Sequence, residues 1–219
     1  MLENSKTRPD LFLLLSLLMI ILLYPALDHG GLRRSLLAAL FFVPVILSTV
    51  RLSEKKGWMW PSVLLMLGVV ISTAVTMIHP SRSLIGTKWS IAAAFFGLTV
   101  FGLFSYLKNA RNIANSHLYT AVSIYLLLGL LWFALYSAID AFFPGVISYN
   151  NATATDRPSE LLYFSLITLS TVGYGDVVPI AGEVRMLAAL EGITGVLYVA
   201  ITVALLVSSY RTPDQKAGA

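Results

Sequence analysis

The 219-residue chain contains no cysteine, which excludes disulfide bonds, thiolate metal sites and thiol catalysis. Charged side chains are also scarce. They make up 12% of the residues, against about 25% in an average soluble domain. Hydrophobic residues make up 57%, and the mean hydropathy is +0.79. Because so few charges cannot cover a water-facing surface, the composition predicts a membrane protein.

Patterns that soluble functions need are missing as well. The sequence has no His/Asp/Glu cluster with metal-ligand spacing, no nucleophile elbow and no phosphate-binding glycine loop. It therefore predicts neither an enzyme nor a resident cofactor. The net charge is +4, but the basic residues lie in short clusters between apolar runs. That pattern is typical of membrane topology and argues against a nucleic-acid partner.

Six apolar runs are each close to the roughly 20 residues that span a hydrocarbon core. They are Leu11–Leu27, Leu36–Val50, Trp58–Ile78, Trp89–Leu107, Leu118–Phe143 and Val184–Tyr210. A further apolar segment, Leu161–Leu169, is too short to cross. Lys6 and Arg8 precede the first run as in a secretory signal, but no small-x-small cleavage site follows it, which favours a retained helix.

The basic residues also indicate the orientation. If both termini are cytoplasmic, nine of the fifteen lysines and arginines fall on the cytoplasmic side, as the positive-inside rule favours. The Arg33–Arg34 pair on the outer side is the main exception. The sequence therefore predicts a multi-pass plasma-membrane protein in which residues 170–183 face outward.

Residues 168–176 read TLSTVGYGD and follow the short apolar segment. Non-helical backbone at membrane depth is tolerated only where protein buries it or where it lines a water-filled path. Gly173 and Gly175 can take positive φ without a steric penalty, which allows successive carbonyl groups to face one axis. Val172 and Tyr174 should then point away and brace the loop in the surrounding protein, while Thr171 adds a hydroxyl group. The alternative, a tight turn in a re-entrant transporter loop, is disfavoured because transporters usually carry internal repeats.

The hexapeptide Thr171–Asp176 resembles the signature sequence of potassium channels. The resemblance covers Leu118–Tyr210 and is strongest to prokaryotic six-helix members of that ion-channel family. It includes the phrases AIDAFFPG (138–145), LYFS (162–165) and LEG (190–192). It implies an all-α membrane protein with six transmembrane helices, a re-entrant pore helix and a selectivity-filter loop. One loop per chain implies a homotetramer around one axis, conducting K+ passively through rings of oxygen atoms.

The resemblance divides the chain into three parts. Residues 1–112 form a four-helix N-terminal transmembrane domain, residues 113–211 the pore domain, and residues 212–219 a short cytoplasmic tail. A voltage sensor needs several basic residues within its fourth helix, and the run Trp89–Leu107 has none. The first domain is therefore predicted to be a scaffold, an assembly domain or a receptor for lipid or a small molecule, and no conventional voltage sensor.

The resemblance also assigns roles to individual residues. The predicted filter residues are Thr171, Val172, Gly173, Tyr174 and Gly175, with K+ held at the first four. The predicted filter supports are Tyr163, Phe164, Thr168 and Asp176. The predicted gating residues of the last helix are Glu191, Gly195, Val196, Val199 and Val203.

Some of these roles keep alternatives. Ile167 stands where some relatives have a glutamate that bonds the filter aspartate, so Asp176 is expected to pair with solvent or Arg185. Gly195 is a hinge or a close packing site. Glu191 is either protonated or hydrogen-bonded to the pore helix of its own or a neighbouring chain, near Thr168 or Ser170, and so braces the filter, or it faces the ion cavity and raises the local cation concentration.

Alternative interpretations also remain for three valines of the last helix and for the function of the protein. Val196, Val199 and Val203 either line an inner gate or contact lipid or protein core. The alternatives to a potassium-selective channel are a less selective monovalent cation channel and a non-conducting structural or regulatory protein with a vestigial pore.

Overall fold

The computed structural model describes residues 3–27, 43–44, 46–50, 59–108, 115–149 and 157–210, with side chains for 9–24 of the first range and to 207 in the last. Most of the second apolar run, Leu36–Val50, lies outside the described residues, and so does the tail 212–219.

Helices account for most of the described chain. They are α1 (Glu3–Leu27), α2 (Met59–Ile78), α3 (Arg82–Lys108), α4 (Asn115–Phe142), α5 (Arg157–Leu169) and α6 (Gly182–Tyr210). The helix α3 begins well before the apolar run at Trp89, because Ser81 caps its polar first turn: the Leu84 N–H donates to Ser81 Oγ at 3.3 Å, as N-cap serines commonly accept. Helix α5 has Pro158 in its first turn, as expected for a residue without an N–H.

Four helices of the described part are long and apolar enough to cross a membrane. They are Met59–Ile78, Arg82–Lys108, Asn115–Phe142 and Gly182–Val207, and the apolar part of α1, Pro9–Tyr24, is shorter. The chain is accordingly a multi-pass membrane protein, while the count of six spans stays a prediction.

Helix α4 is the centre of the packing, since it contacts α1, α3, α5 and α6. Its Phe133 is fully buried and receives aromatic rings edge-on from two other helices. The Tyr24 ring of α1 lies 5.6 Å from it and the Trp89 ring of α3 4.8 Å, centroid to centroid. Because lipid is as apolar as these side chains, such close packing stabilises the helix contacts more than hydrophobic burial does.

A two-stranded sheet that the all-α prediction did not include joins the end of α4 to the chain after α5. Strands β1 (Ile147–Tyr149) and β2 (Val177–Pro179) are antiparallel, with Ile147 opposite Pro179 and Tyr149 opposite Val177. Strands of three residues are too short to show an alternating pattern, so the sequence could not reveal them. The sheet fixes the chain on the C-terminal side of the loop 170–176.

Gly195 brings α6 against the C-terminal end of α5. A Cβ atom at this position would overlap the carbonyl oxygen of Leu169, which belongs to the backbone and cannot rotate away. Helix α6 continues without a break from Gly182 to Tyr210. Close packing therefore accounts for Gly195 in this structure, and the hinge role stays a prediction.

We expect Gly195→Ala to destabilise the protein and Gly192→Ala to change its stability little. Overpacking a well-packed contact costs about 1–3 kcal/mol, whereas a Cβ on Gly192 would lie an ordinary 3.6 Å from the Thr168 carbonyl oxygen. Both variants gain the same helix propensity. Equilibrium unfolding in detergent compares them, and equal stability of the two would contradict the packing role of Gly195.

Candidate functional site

The chain turns sharply as it leaves α5. The Ile167 carbonyl accepts hydrogen bonds from the N–H groups of Val172 at 2.8 Å and Gly173 at 3.2 Å. The Thr168 carbonyl accepts one from the Thr171 N–H at 2.9 Å. These bonds satisfy carbonyl groups that a helix end leaves without partners, and they fold the start of the loop back on α5.

Every second residue from 171 to 175 has a positive φ: Thr171 at +60°, Gly173 at +54° and Gly175 at +81°. The two glycines adopt the conformation expected from the sequence. Thr171 was not expected to, because a β-branched residue in this region is strained. Such strain persists only where the surrounding structure enforces it, and it is concentrated at functional sites.

The loop lies on an uncovered face of the single chain. Val172 is 52% exposed and Tyr174 is 74% exposed, so the expected bracing of these side chains is not provided within the chain. An open groove of about 490 Å³ runs below the loop along α6. Its lining residues are Thr168, Thr171, Gly173, Ala188, Ala189, Gly192, Ile193, Val196 and Leu197.

Asp176 pairs with Tyr163, and the expectation of solvent or Arg185 as its partner is corrected. The Tyr163 hydroxyl donates to Asp176 Oδ2 at 2.7 Å, and the Val177 N–H donates to Oδ1 at 3.0 Å. The bond from Tyr163 holds the pKa of Asp176 below its usual value. The same bond raises the pKa of Tyr163 to about 12.

The second aromatic residue of the predicted pair points elsewhere. Phe164 is buried, and its ring lies 5.0 Å from the Tyr136 ring in an edge-on contact. Phe164 thus fastens α5 to α4, while Tyr163 contacts the far end of the loop.

Glu191 is fully buried in the middle of α6, at 0% exposure, and it does not face the groove. The Tyr136 hydroxyl donates to its Oε2 at 2.7 Å, and Ser165 Oγ lies 2.7 Å from its Oε1. Glu191 is thus bonded to α4 and to α5 of its own chain, through partners different from those expected, and the bracing role stays a prediction. Ser170 Oγ donates instead to the Leu166 carbonyl at 2.7 Å.

The three predicted gating valines, Val196, Val199 and Val203, lie on the exposed surface of α6. Their spacing of three and four residues places them on one face of the helix. Val196 also lines the groove. Their role stays a prediction.

Sequence reasoning missed the hydroxyl groups that hold the helices together here. Besides Tyr136 and Ser165, Tyr125 donates to the Leu169 carbonyl at 3.3 Å, and Tyr198 donates to the Ala121 carbonyl at 2.6 Å. A tyrosine inside an apolar run needs a partner for its hydroxyl when it is buried. This need for a hydrogen-bond partner, together with the acid at Glu191, is the feature of the sequence that could have predicted these contacts.

Comparison with known proteins bears on the same part of the chain. Residues 120–211 match a family model described as an ion channel. Two pore potassium channel b of Oryza sativa subsp. japonica is 39% identical over 75 residues, 34% of this chain and 19% of that protein. A Rhodopseudomonas palustris protein provisionally named a potassium channel protein is 37% identical over 51 residues, 23% of this chain and 12% of that protein.

A third relative, human potassium voltage-gated channel subfamily A member 5, is 33% identical over 86 residues, 38% of this chain and 14% of that protein. These matches support an ion channel related to potassium channels. The chain spans less than a fifth of the length of each relative. No solved structure matches it significantly.

We expect Tyr163→Phe to raise the pKa of Asp176 toward its ordinary value, because the variant lacks the hydroxyl donor. A carboxyl group with a lowered folded-state pKa stabilises the fold above its unfolded pKa and loses that contribution as pH falls through the folded value. The Asp176 carboxylate should therefore stay ionised, and keep stabilising the fold, to lower pH in the wild type than in Tyr163→Phe.

An NMR titration of the Asp176 carboxyl carbon measures this shift. Tyr119→Phe, at the start of α4, removes a hydroxyl group far from the loop and should leave the titration unchanged. Identical Asp176 titrations in wild type and Tyr163→Phe would show that the hydrogen bond does not operate in solution.

Proposed function

We propose that the chain is the subunit of a homotetrameric, potassium-selective channel that conducts K+ passively across the plasma membrane. The observation that carries the proposal is the alternation of positive φ at Thr171, Gly173 and Gly175 within TVGYGD. In an ordinary strand, successive carbonyl groups point to opposite sides. Positive φ at every second residue allows them to face one side, as a cation-coordinating filter requires.

In this proposal, the carbonyl oxygens of residues 171–174 and the Thr171 hydroxyl replace the hydration shell of K+. Helix α5 is the pore helix. Its C-terminal end leads directly into the loop and carries partial negative charge, which favours a cation nearby. Asp176, held by Tyr163, fixes the far end of the filter, and Thr168 supports its near end.

The surface that one chain leaves uncovered supports the proposed tetramer. A single loop cannot enclose an axis, and cyclic symmetry of four chains closes the ring. Val172 and Tyr174 would then find their contacts in the neighbouring subunit. Only 17% of the apolar window of α6 is buried, against 61% in α4, so α6 has a face available for neighbouring subunits and lipid. Val196, Val199 and Val203 would line the inner part of the path.

We further propose a six-helix, prokaryotic-type arrangement with both termini cytoplasmic, a four-helix domain over residues 1–112, a pore domain over 113–211 and a short tail over 212–219. The matches to potassium channels support the pore domain. Lipid, or a small molecule bound to the first domain, is the partner class we propose beyond the chain itself.

Flux from liposomes containing the purified tetramer tests the proposal. We expect K+ flux far above Na+ flux, and loss of this selectivity in Gly175→Ala, because an alanine at φ +81° costs roughly 1–2 kcal/mol in the left-handed region. Gly145→Ala is the matched control, since Gly145 has φ +89° and open space around it, in the turn before β1.

The outcomes separate the candidate functions. Equal K+ and Na+ flux through the wild type would indicate a less selective monovalent cation channel. No flux of either ion from a verified tetramer would favour a vestigial pore. Equal loss in both glycine variants would mean that general strain, and not the filter, explains the effect.

We expect conduction to depend little on voltage. The human relative is named as voltage-gated, but α3 has no charged residue between Lys88 and Lys108, and the Lys88 ammonium group lies 4.3 Å from the centre of the Trp89 ring near the start of the apolar run. A charge that crosses the full membrane field is worth about 2.3 kcal/mol per 100 mV, so a helix without such charges gives a shallow response.

Current–voltage recordings in planar bilayers measure this dependence. The double variant Lys88→Gln, Lys108→Gln should have the same shallow curve as the wild type. A steep rise of open probability with voltage, reduced in that variant, would show that the end lysines are gating charges.

A further inference from the structure

Three helices meet at one buried polar cluster away from the loop. Glu191 belongs to α6, Tyr136 to α4 and Ser165 to α5, and each of the three side chains is 0% exposed. Ser165 Oγ also lies 2.8 Å from the carbonyl oxygen of Gly129 in α4. Gly129 itself faces α5 closely, since a Cβ there would lie 2.8 Å from the end of the Leu166 side chain.

The number of hydrogen atoms in the cluster decides the charge of Glu191. Ser165 has one hydroxyl hydrogen but faces two oxygens, Glu191 Oε1 at 2.7 Å and Gly129 O at 2.8 Å. An ionised carboxylate only accepts, so one of these two contacts would lack a hydrogen. A proton on Oε1 completes the cluster: Glu191 donates to Ser165, Ser165 donates to Gly129 O, and Tyr136 donates to Oε2.

Among the residues that the structure describes, the contacts of Glu191 include no counter-charge. Both described partners of Glu191 are neutral hydroxyl groups, and an isolated buried carboxylate is costly unless it is paired.

The titratable groups of α4 that interact with Glu191 are Tyr136 and Tyr125. On α5, the titratable side chains lie toward its N-terminal half, and Tyr163 is engaged by Asp176. On α6, Glu183 and Arg185 lie in the first turn and Tyr198 bonds to the Ala121 carbonyl. Strand β2 has no titratable residue.

We propose that Glu191 is a protonated, neutral positioning residue for the ion filter. It ties α5 to both α4 and α6 through Ser165 and Tyr136, four residues before α5 ends at Leu169 and the filter loop begins. Its contribution to selectivity rests on the proposed channel function, whereas its protonation does not.

The position of the cluster explains why a proton there would matter for the loop. The hydrogen bonds at Ser165 lie one helical turn from Leu169, whose carbonyl is held by Tyr125 and whose backbone packs on Gly195. Loss of the proton leaves a buried charge and one contact without a hydrogen. Relief requires α5 to move relative to α4 or α6, and the carbonyl groups of residues 171–174 would move with it.

The matched variants are Glu191→Gln and Glu191→Ala. A glutamine has nearly the shape of a protonated glutamate. Its amide N–H donates to Ser165, and its carbonyl accepts from Tyr136. We expect Glu191→Gln to keep the K+ to Na+ flux ratio of the wild type, and Glu191→Ala to lose roughly tenfold of it, about the effect of one buried hydrogen bond left unmade.

The K+ to Na+ flux ratio, measured from neutral to alkaline pH, provides a second test, because a purely structural role of Glu191 would leave its pH dependence unchanged. The flux ratio of the wild type should fall as the proton leaves, while that of Glu191→Gln should stay constant. If the glutamine variant fails like the alanine variant, or if both wild type and glutamine variant respond equally to pH, the proposal is wrong.

Infrared spectroscopy decides the protonation state without any flux. At neutral pH, the wild type should have a carboxylic-acid C=O band that is absent from Glu191→Gln, and Ser165→Ala should shift this band. Its absence from the folded wild type would overturn the proposal. If the protein does not conduct, the channel function fails, but the infrared result still stands for or against the neutral acid.

Discussion

A short helix that ends among other helices leaves its last carbonyl groups without helical partners, and the rest of this site depends on how they are satisfied. All four carbonyls of the last turn, Leu166–Leu169, have partners. Ser170 donates to the first through its N–H and hydroxyl groups, and the N–H groups of residues 171–173 serve the next two. The Tyr125 hydroxyl serves the last. Satisfying these groups turns the chain back on the helix end and imposes the positive φ of Thr171.

The same helix end sets the packing of its neighbours. Helix α6 approaches the Leu169 backbone so closely that only glycine fits at position 195. One turn earlier, Ser165 joins α5 to the Gly129 carbonyl and to Glu191. The loop is thus held by backbone contacts on its N-terminal side and by the β1–β2 sheet and the Tyr163–Asp176 bond on its C-terminal side. The surface between these anchors stays exposed in the single chain, as the proposed filter shared between subunits would require.

Much of the architecture was predictable because its causes are local. Apolar runs locate α2, α4 and α6, and the glycines at 173 and 175 predict positive φ. The start of α3 was missed because a serine cap, and not hydropathy, decides it. The β1–β2 pair was missed because three residues show no period. The prediction of the partner of Asp176 was wrong for another reason. Tyr163 lies thirteen residues earlier in the chain, and only the turn at the end of α5 brings the two residues together.

The sequence by itself determined that this is a multi-pass membrane protein with a glycine-punctuated loop after a short helix, since composition and backbone freedom are properties of the residues. The identity of the Glu191 partners was decided by tertiary structure. Tyr136 and Ser165 lie 55 and 26 residues away in sequence, on two different helices, and nothing in the local pattern relates them. A buried acid must find donors wherever the packing places them, so its partners depend on how three helices cross.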